Sequence, residues 1–265
     1  MNSNNPQEDI SSFSSIYILL VDDNKVNQFL GKKILKNLGY SNVEVASDGK
    51  SALEMLQDKN YHVLLTDVEM PGMSGYELTT AVRNLNSNVN AITIIALTAN
   101  ATAEEKEFAL KNGMNDYLAK PYSPNELQEV LQKHVRNENS YTGFEFTLET
   151  VLSNNPVAGL YSLFNHNKED VRNLLLLLQK QLPESMTSLK NDILADNNEA
   201  IFNNAHKLKS TIKLFNDDAL FRCISDITEF ARTSRNRDQI PSLYDELNKG
   251  VSGIMVLINI EIEML

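Results

Sequence analysis

Short apolar runs alternating with helical patterns dominate the first half of this 265-residue chain. Each run is bounded by turn residues and followed by a stretch with apolar residues at helical spacing. The runs are residues 17–21, 43–46, 62–66, 91–97 and 116–119. Alternation of this kind predicts a doubly wound α/β domain, in which helices cover both faces of a five-stranded parallel sheet.

Polar side chains follow these runs at the points where the strands are predicted to end: Asp22, Asp23, Asp67, Thr98 and Lys120. The carboxyl ends of parallel strands meet at one edge of a sheet, where open α/β sheets bind their ligands. Taken alone, Asp67 is equally compatible with an ordinary turn residue before Pro71-Gly72. The other strand ends favour a ligand site.

The chemistry of this set predicts phosphoryl transfer. Three neighbouring carboxylates repel one another and call for a divalent cation, and ligands that are all oxygen suit Mg²⁺. Lys120 and the Thr98 hydroxyl are suited to hold phosphate oxygens. Asp67 lies centrally and is the natural nucleophile, which would form an aspartyl phosphate.

These residues resemble the receiver domain of two-component response regulators. The matching segments are Val21-Asp22-Asp23-Asn24, residues 66–75 around Asp67, Ala96-Leu97-Thr98-Ala99 and Tyr117-Leu118-Ala119-Lys120-Pro121. The resemblance covers about residues 16–135 and is closest to receivers of hybrid sensor kinases. It implies that Asp22, Asp23, Asp67 and the Glu69 backbone carbonyl hold Mg²⁺, and that Asp67 is phosphorylated. It also implies that Thr98 and Lys120 contact the phosphoryl group, that Tyr117 is a switch aromatic, and that the Lys120-Pro121 bond is cis.

A small Mg²⁺ phosphatase with an aspartyl nucleophile is an alternative for the same residues. Such enzymes carry Asp-x-Asp after the first strand, whereas this chain has adjacent Asp22 and Asp23. The adjacent pair suits metal binding by both residues, which favours the receiver interpretation.

Composition narrows the remaining function classes. The net charge of −11 argues against a nucleic-acid surface. A single cysteine, Cys223, excludes a disulfide framework and favours a reducing, cytoplasmic compartment. No apolar run reaches the roughly 18 residues that a membrane segment needs, and the N-terminus has no signal-peptide pattern. The predicted parts are a mobile tail (1–15), a receiver domain (16–136), a polar linker (137–145) and a helical domain (146–265).

Four consecutive amphipathic patterns in the second half predict an antiparallel four-helix bundle. On the second long helix, His206 lies one step off the apolar stripe, beside Phe202, Lys209 and Ser210. Flanking cations favour a neutral, nucleophilic imidazole and would stabilise a phosphate on it. By helix geometry alone, a surface histidine that happens to lie near lysines is the simpler interpretation.

Ala205-His206-Lys207-Leu208-Lys209-Ser210 resembles the Ala-His-x-Leu-Lys-Gly signature of histidine phosphotransfer (HPt) domains. The resemblance implies that His206 accepts a phosphoryl group, that Lys209 steadies it, and that Phe202 and Ser210 belong to the surface that docks a receiver. Two departures are Ser210, where the family usually has glycine, and the absence of the family's later glycine near Phe215-Asn216.

The resulting hypothesis is a phosphorelay protein without enzyme activity of its own, since no ATP-binding glycine-rich segment occurs. An upstream histidine kinase would phosphorylate Asp67, which exchanges the group with His206, within or between chains, for relay to a downstream receiver. The chain is compatible with the C-terminal part of a hybrid sensor kinase. The alternative is a phosphorylation-gated binding protein whose bundle never accepts phosphate.

Overall fold

The structure is a computed structural model that describes residue 13 and residues 15–85, 88–99, 102–135 and 156–265. The chain divides into two compact units, Met1–Thr147 and Leu148–Leu265. Nearly all of the predicted tail and the whole of the predicted linker lie outside the described residues.

The first unit contains a five-stranded, fully parallel sheet in the order β2-β1-β3-β4-β5. Its strands are β1 (Tyr17–Val21), β2 (Asn42–Ala46), β3 (Val63–Asp67), β4 (Thr93–Thr98) and β5 (Asp116–Ala119). All five residues of the central strand β3 are buried, as expected for a strand covered on both faces. The predicted doubly wound α/β fold is confirmed.

Five helices alternate with the strands. They are α1 (Lys25–Asn37), α2 (Gly49–Asp58), α3 (Gly75–Arg83), α4 (Ala103–Lys111) and α5 (Pro124–His134). Each begins at a polar residue whose side chain accepts a hydrogen bond from the first turn, and the caps at Ser74 and Ser123 form complete capping boxes. The caps explain why each helix starts directly after the loop that leaves a strand.

Two separate cores lie on the two faces of the sheet, because successive side chains on a strand point to opposite sides. Leu20 and Leu65 belong to one core, and Leu19 and Leu64 belong to the other. The alternation fixes the register of the sheet, since a slip of one residue would exchange the two faces. The register pairs Val21 with Thr66, Asp67 with Leu97 and Thr98 with Ala119, so the polar strand ends come to one edge.

The start of β4 differs from the prediction. Residues 91 and 92 were expected in the strand, but a 3₁₀ helix (Asn88–Ala91) precedes it and the strand begins at Thr93. The Ile92 N–H donates to the Val89 carbonyl, and the Arg83 guanidinium binds the carbonyls of Asn90 and Ile92. These hydrogen bonds hold an apolar segment in a turn that its sequence pattern does not indicate.

The second unit is a closed bundle in which each helix packs on two others, and the predicted bundle is confirmed. Its helices are α6 (Lys168–Leu194), α7 (Asn198–Lys213), α8 (Asp218–Thr233) and α9 (Ile240–Met264), with short 3₁₀ helices at Ala158–Phe164 and Arg237–Gln239. Cys223 is buried in this core. Within the described ranges, no helix combines the length and the apolar character that crossing a membrane requires.

Candidate functional site

Three carboxylates meet at the carboxyl edge of the sheet. Asp22 and Asp23 follow β1, and Asp67 is the last residue of β3. Each offers an oxygen that lies within 4.8 Å of the other two. Asp22 and Asp67 are buried and Asp23 is partly exposed, so the cluster opens to solvent on one side.

Asp22 is held by a shell of donors. Its Oδ1 accepts hydrogen bonds from the Asn24 backbone N–H at 2.9 Å and from Asn27 Nδ2 at 3.1 Å. The side chain of Gln28 donates to the backbone carbonyl of Asp22 at 2.6 Å. Asn24 also caps α1, so the start of this helix and the position of Asp22 are fixed together. Asn27 and Gln28 lie on the first turn of α1, and no sequence motif predicted their contact with Asp22.

Lys120 lies between two of the carboxylates. Its buried ammonium donates to Asp22 Oδ2 at 2.6 Å and also to Asp67 Oδ2. Burial by itself lowers the pKa of Lys120, but the two carboxylates outweigh burial and raise that pKa above its usual range. The pKa of Asp22 is raised, chiefly by burial, with a further contribution from the Asp67 charge. The Lys120-Pro121 peptide bond is cis, as the resemblance implied.

The charges of this cluster fit a divalent cation. Three carboxylates face one ammonium, which leaves an excess of negative charge in a largely buried place. Oxygen ligands from two or more carboxylates and a backbone carbonyl form the donor set that Mg²⁺ prefers. The residues present therefore fit the predicted metal.

Asp67 is positioned by its own turn. The Glu69 N–H donates to Asp67 Oδ1 at 3.2 Å, and the Thr66 hydroxyl donates to the Asp67 carbonyl at 3.0 Å. The start of α3 packs directly on this turn, where the Gly75 N–H donates to the Val68 carbonyl. A Cβ atom at Gly75 would overlap the Asp67 carbonyl oxygen, so only glycine fits there.

Thr98 and Tyr117 lie on the adjacent strands β4 and β5. Thr98 is buried at the end of β4, and its carbonyl accepts the Lys120 N–H at 2.7 Å. Its hydroxyl donates to Glu105 Oε2 at 3.2 Å. Tyr117 is half-buried, and the Lys106 ammonium lies 5.0 Å from the centre of its ring. Glu105 and Lys106 are consecutive residues of α4, so both predicted switch side chains contact one turn of this helix.

His206 lies on the second unit, on α7. It is half-buried, and its ring stacks on that of Phe202 one turn earlier, with 6.1 Å between the ring centres and 26° between the planes. The apolar stripe beside it is buried: Ile201, Ala205, Leu208 and Ile212 on α7, and Phe215 just after the helix. The imidazole thus lies at the edge between the core and the surface.

Cations gather one and two turns beyond His206. The ammonium groups of Lys209 and Lys213 lie 5.4 and 5.6 Å from the centre of the Phe221 ring on α8. Burial and the neighbouring Lys209 charge lower the pKa of Lys213. The contact of Phe221 with these lysines was not predicted, because it depends on how α8 packs beside α7.

The local structure accommodates both residues at which the chain departs from the HPt pattern. The Ser210 hydroxyl donates back to the Lys207 carbonyl at 3.0 Å, along its own helix. Asn216, after α7, has φ of 52°, the left-handed conformation for which glycine is the usual residue and asparagine the next. Neither substitution disturbs the course of α7.

Part of the chain matches a known protein family. The family model described as the response regulator receiver domain matches residues 18–132. The sensor histidine kinase GacS of Pseudomonas protegens is 38% identical over 130 residues, which cover 48% of this chain and 14% of that protein. The aerobic respiration control sensor protein ArcB of Escherichia coli is 28% identical over 206 residues, which cover 76% of this chain and 26% of that protein.

Among solved structures, the receiver domain of the sensor histidine kinase PA1611 from Pseudomonas aeruginosa, with a magnesium ion in its active-site cleft, is 42% identical. The match covers 45% of this chain and 96% of that one, with a TM-score of 0.42. This chain spans only 14 to 26% of the length of the GacS and ArcB proteins. The similarity to ArcB extends beyond residues 18–132, into other parts of the chain. Residues 18–132 are thereby identified as a response regulator receiver domain.

Proposed function

We propose that this protein is a phosphorelay component of a two-component system, in which Asp67 and His206 both carry the phosphoryl group. The observation that carries the proposal is the cluster of Asp22, Asp23 and Asp67 around Lys120 at the sheet edge. A second cluster, which contains His206 on α7 of the same chain, extends the proposal from a switch to a relay.

Mg²⁺ would be held by Asp22, Asp23, Asp67 and the Glu69 carbonyl. When bound, it supplies positive charge that offsets the charge on the phosphoryl oxygens. Lys120 contributes the second positive charge, and it already touches Asp67. The Thr98 hydroxyl, one strand away, donates a hydrogen bond to a phosphoryl oxygen.

Phosphorylation of Asp67 is a transfer from a phosphohistidine of an upstream kinase. A carboxylate oxygen of Asp67 attacks phosphorus, an O–P bond forms and the P–N bond breaks. The electron pair of the broken bond stays on the imidazole nitrogen. The phosphorylated ring, which carries a positive charge when its other nitrogen is protonated, thereby becomes a neutral imidazole. The shell around Asp22 and the turn at Glu69 hold Lys120 and Asp67 in place, so little reorganisation accompanies the step.

Transfer to His206 reverses this chemistry. An imidazole nitrogen attacks phosphorus, an N–P bond forms, and the O–P bond breaks with its electron pair on the Asp67 carboxylate. Phe202 orients the ring by stacking, and Lys209 and Lys213 provide the positive field for the phosphoryl oxygens. Phe202 and Ser210 lie on the surface that a receiver would contact.

The partners follow from this chemistry. A histidine kinase supplies the phosphoryl group and a separate receiver accepts it from His206, as in the HPt family that this bundle resembles. The similarity to ArcB, which is named a sensor protein, supports a place beside or within a sensor kinase.

A label-chase experiment tests the proposal. The full chain is incubated with Mg²⁺ and radiolabelled acetyl phosphate, and the label is assigned by its stability, since acyl phosphates are lost in alkali and phosphohistidine in acid. We expect label on Asp67 and then on His206. Asp67→Ala should abolish both labels, and His206→Gln only the second. His166→Asn is a matched control, since His166 is exposed on the same unit and asparagine tolerates its φ of 59°.

The outcomes separate the candidate functions. Label that stays on Asp67, even with other receivers present, would favour a phosphorylation-gated binding protein over a relay. Rapid turnover of acetyl phosphate without lasting label would favour the phosphatase. Mixing Asp67→Ala chains with His206→Gln chains shows whether transfer occurs between chains, since only then is the first variant labelled.

A further inference from the structure

Glu105 on α4 accepts a hydrogen bond from Thr98 of the proposed phosphorylation site, yet Glu105 has no role in the proposed reaction. Its Oε2 accepts the hydroxyl hydrogen of Thr98 at 3.2 Å. It is half-buried, whereas its neighbours Glu104 and Glu107 are exposed. Its backbone N–H is held by the Thr102 cap, so the first turn of α4 aims this carboxylate at the end of β4.

We propose that Glu105 is an off-state latch that holds the Thr98 hydroxyl away from Asp67 until Asp67 is phosphorylated. A threonine hydroxyl has one hydrogen to donate. While Glu105 accepts it, a phosphoryl oxygen on Asp67 cannot. The Thr98 hydroxyl can therefore donate to the phosphoryl group only after the Thr98–Glu105 hydrogen bond breaks, and the latch rests on the proposed phosphorylation of Asp67.

Charge adds to this competition. A phosphoryl group on Asp67 brings negative charge to the neighbourhood of the Glu105 carboxylate, and like charges repel. The Glu105 charge also contributes, after burial, to the raised pKa of Tyr76 on α3. Glu105 thus faces the space between α3, α4 and the strand ends, where new negative charge would repel its carboxylate.

The helix that carries the latch is weakly attached to its domain. Of the nine residues of α4, only Ala109 is buried. Three of its exposed or half-buried side chains contact the rest of the domain: the Phe108 ring on the Tyr76 ring, Lys106 over Tyr117, and Glu105 with Thr98. A helix with so little buried apolar surface moves at small cost, so releasing one hydrogen bond can shift its position.

Binding of beryllofluoride with Mg²⁺ tests the latch without any chemical turnover, because this ion mimics a phosphoryl group on a carboxylate. Affinities are measured by calorimetry on the full chain for the wild type, Glu105→Ala and the control Glu104→Ala. Both variants remove an acid from the same helical turn and introduce the best helix former. We expect Glu105→Ala to bind about fivefold more tightly and Glu104→Ala to match the wild type.

A double-mutant cycle with Thr98→Val identifies the cause. If Glu105 acts on the hydroxyl, most of the gain from Glu105→Ala disappears when the hydroxyl is absent. An equal gain in both backgrounds, or no difference between Glu105→Ala and Glu104→Ala, overturns the latch while leaving the proposed function intact. A wild-type chain that binds no beryllofluoride overturns the proposed function, and the latch with it.

Discussion

Gly75 lies so close to Asp67 that a single added carbon would overlap the Asp67 carbonyl oxygen and come within 2.9 Å of Val68 Cα. The contact is between backbone atoms, which cannot turn aside as a flexible side chain would. The start of α3 therefore sets the position of the proposed phosphoacceptor.

Gly75→Ala is expected to lower the stability of the first unit by about 1–3 kcal/mol, because the overlap forces α3 and the Asp67 turn apart. Calorimetry of the full chain measures the effect, and beryllofluoride affinity should fall with it. Gly159→Ala is the control, since a Cβ atom there meets no atom within 4 Å. Equal unfolding curves for the two variants would contradict the close approach.

Lys120→Met is expected to destabilise the chain without Mg²⁺ by about 3–5 kcal/mol, because it leaves buried carboxylates without their counter-ion. Added Mg²⁺ should restore more stability to this variant than to the wild type. A metal at a hundred times its dissociation constant contributes about 2.7 kcal/mol. Unfolding temperatures with and without Mg²⁺ measure both effects. The same Mg²⁺ increment in variant and wild type would argue against a metal beside Lys120.

Glu44 on β2 gives a pH-dependent contribution to stability. Hydrogen bonds from Lys59 and from the Tyr61 hydroxyl, the latter at 2.5 Å, lower the pKa of Glu44 below its usual 4.5. A lowered pKa stabilises the folded state above pH 4.5, and this stabilisation is lost as the pH falls through the folded-state pKa. Glu44→Gln should therefore destabilise the protein at pH 7 and approach the wild type in acid.

The matched control for that experiment is Glu54→Gln, which removes an exposed acid from α2. Its unfolding free energy is expected to stay within about 0.5 kcal/mol of the wild type at each pH. A Glu44→Gln deficit that stays constant from pH 7 to pH 3 would show that the ionised carboxylate contributes nothing.

Ser210 tests the role of a small residue beside His206. Ser210→Gly is expected to cost the bundle about 0.5 kcal/mol in helix propensity and to change the labelling of His206 less than twofold. The reason is that the hydroxyl already bonds back to Lys207. Ser210→Phe should slow transfer from a receiver at least about tenfold by blocking its approach. A strong acceleration in Ser210→Gly would show instead that the hydroxyl obstructs transfer.

The sheet and the acidic edge could be predicted because they depend on local patterns. Apolar runs mark strands, and parallel strands bring Asp22, Asp67 and Lys120 to one edge whatever the loops do. The start of β4 was predicted wrongly, because the turn at residues 88–91 is held by Arg83 from another helix. No local sequence pattern predicts such a hydrogen bond between separate elements.

The unpredicted parts of the two clusters have the same origin. Asn27, Glu105 and Phe221 are ordinary polar or aromatic residues of helices, and only packing brings them to Asp22, Thr98 and the lysines of α7. Asn216 shows the converse, since the sequence lacks the expected glycine but asparagine supplies the same backbone conformation. The residue type alone did not show that asparagine can replace glycine at this position.

The single buried residue of α4 has a consequence for how this domain can change over evolution. Most of the folding free energy comes from the two cores, to which α4 contributes little beyond Ala109. Substitutions on the outer turns of α4 can therefore retune the response without endangering the fold. On α4, the strength of the response and the stability of the fold are therefore expected to change with little effect on each other.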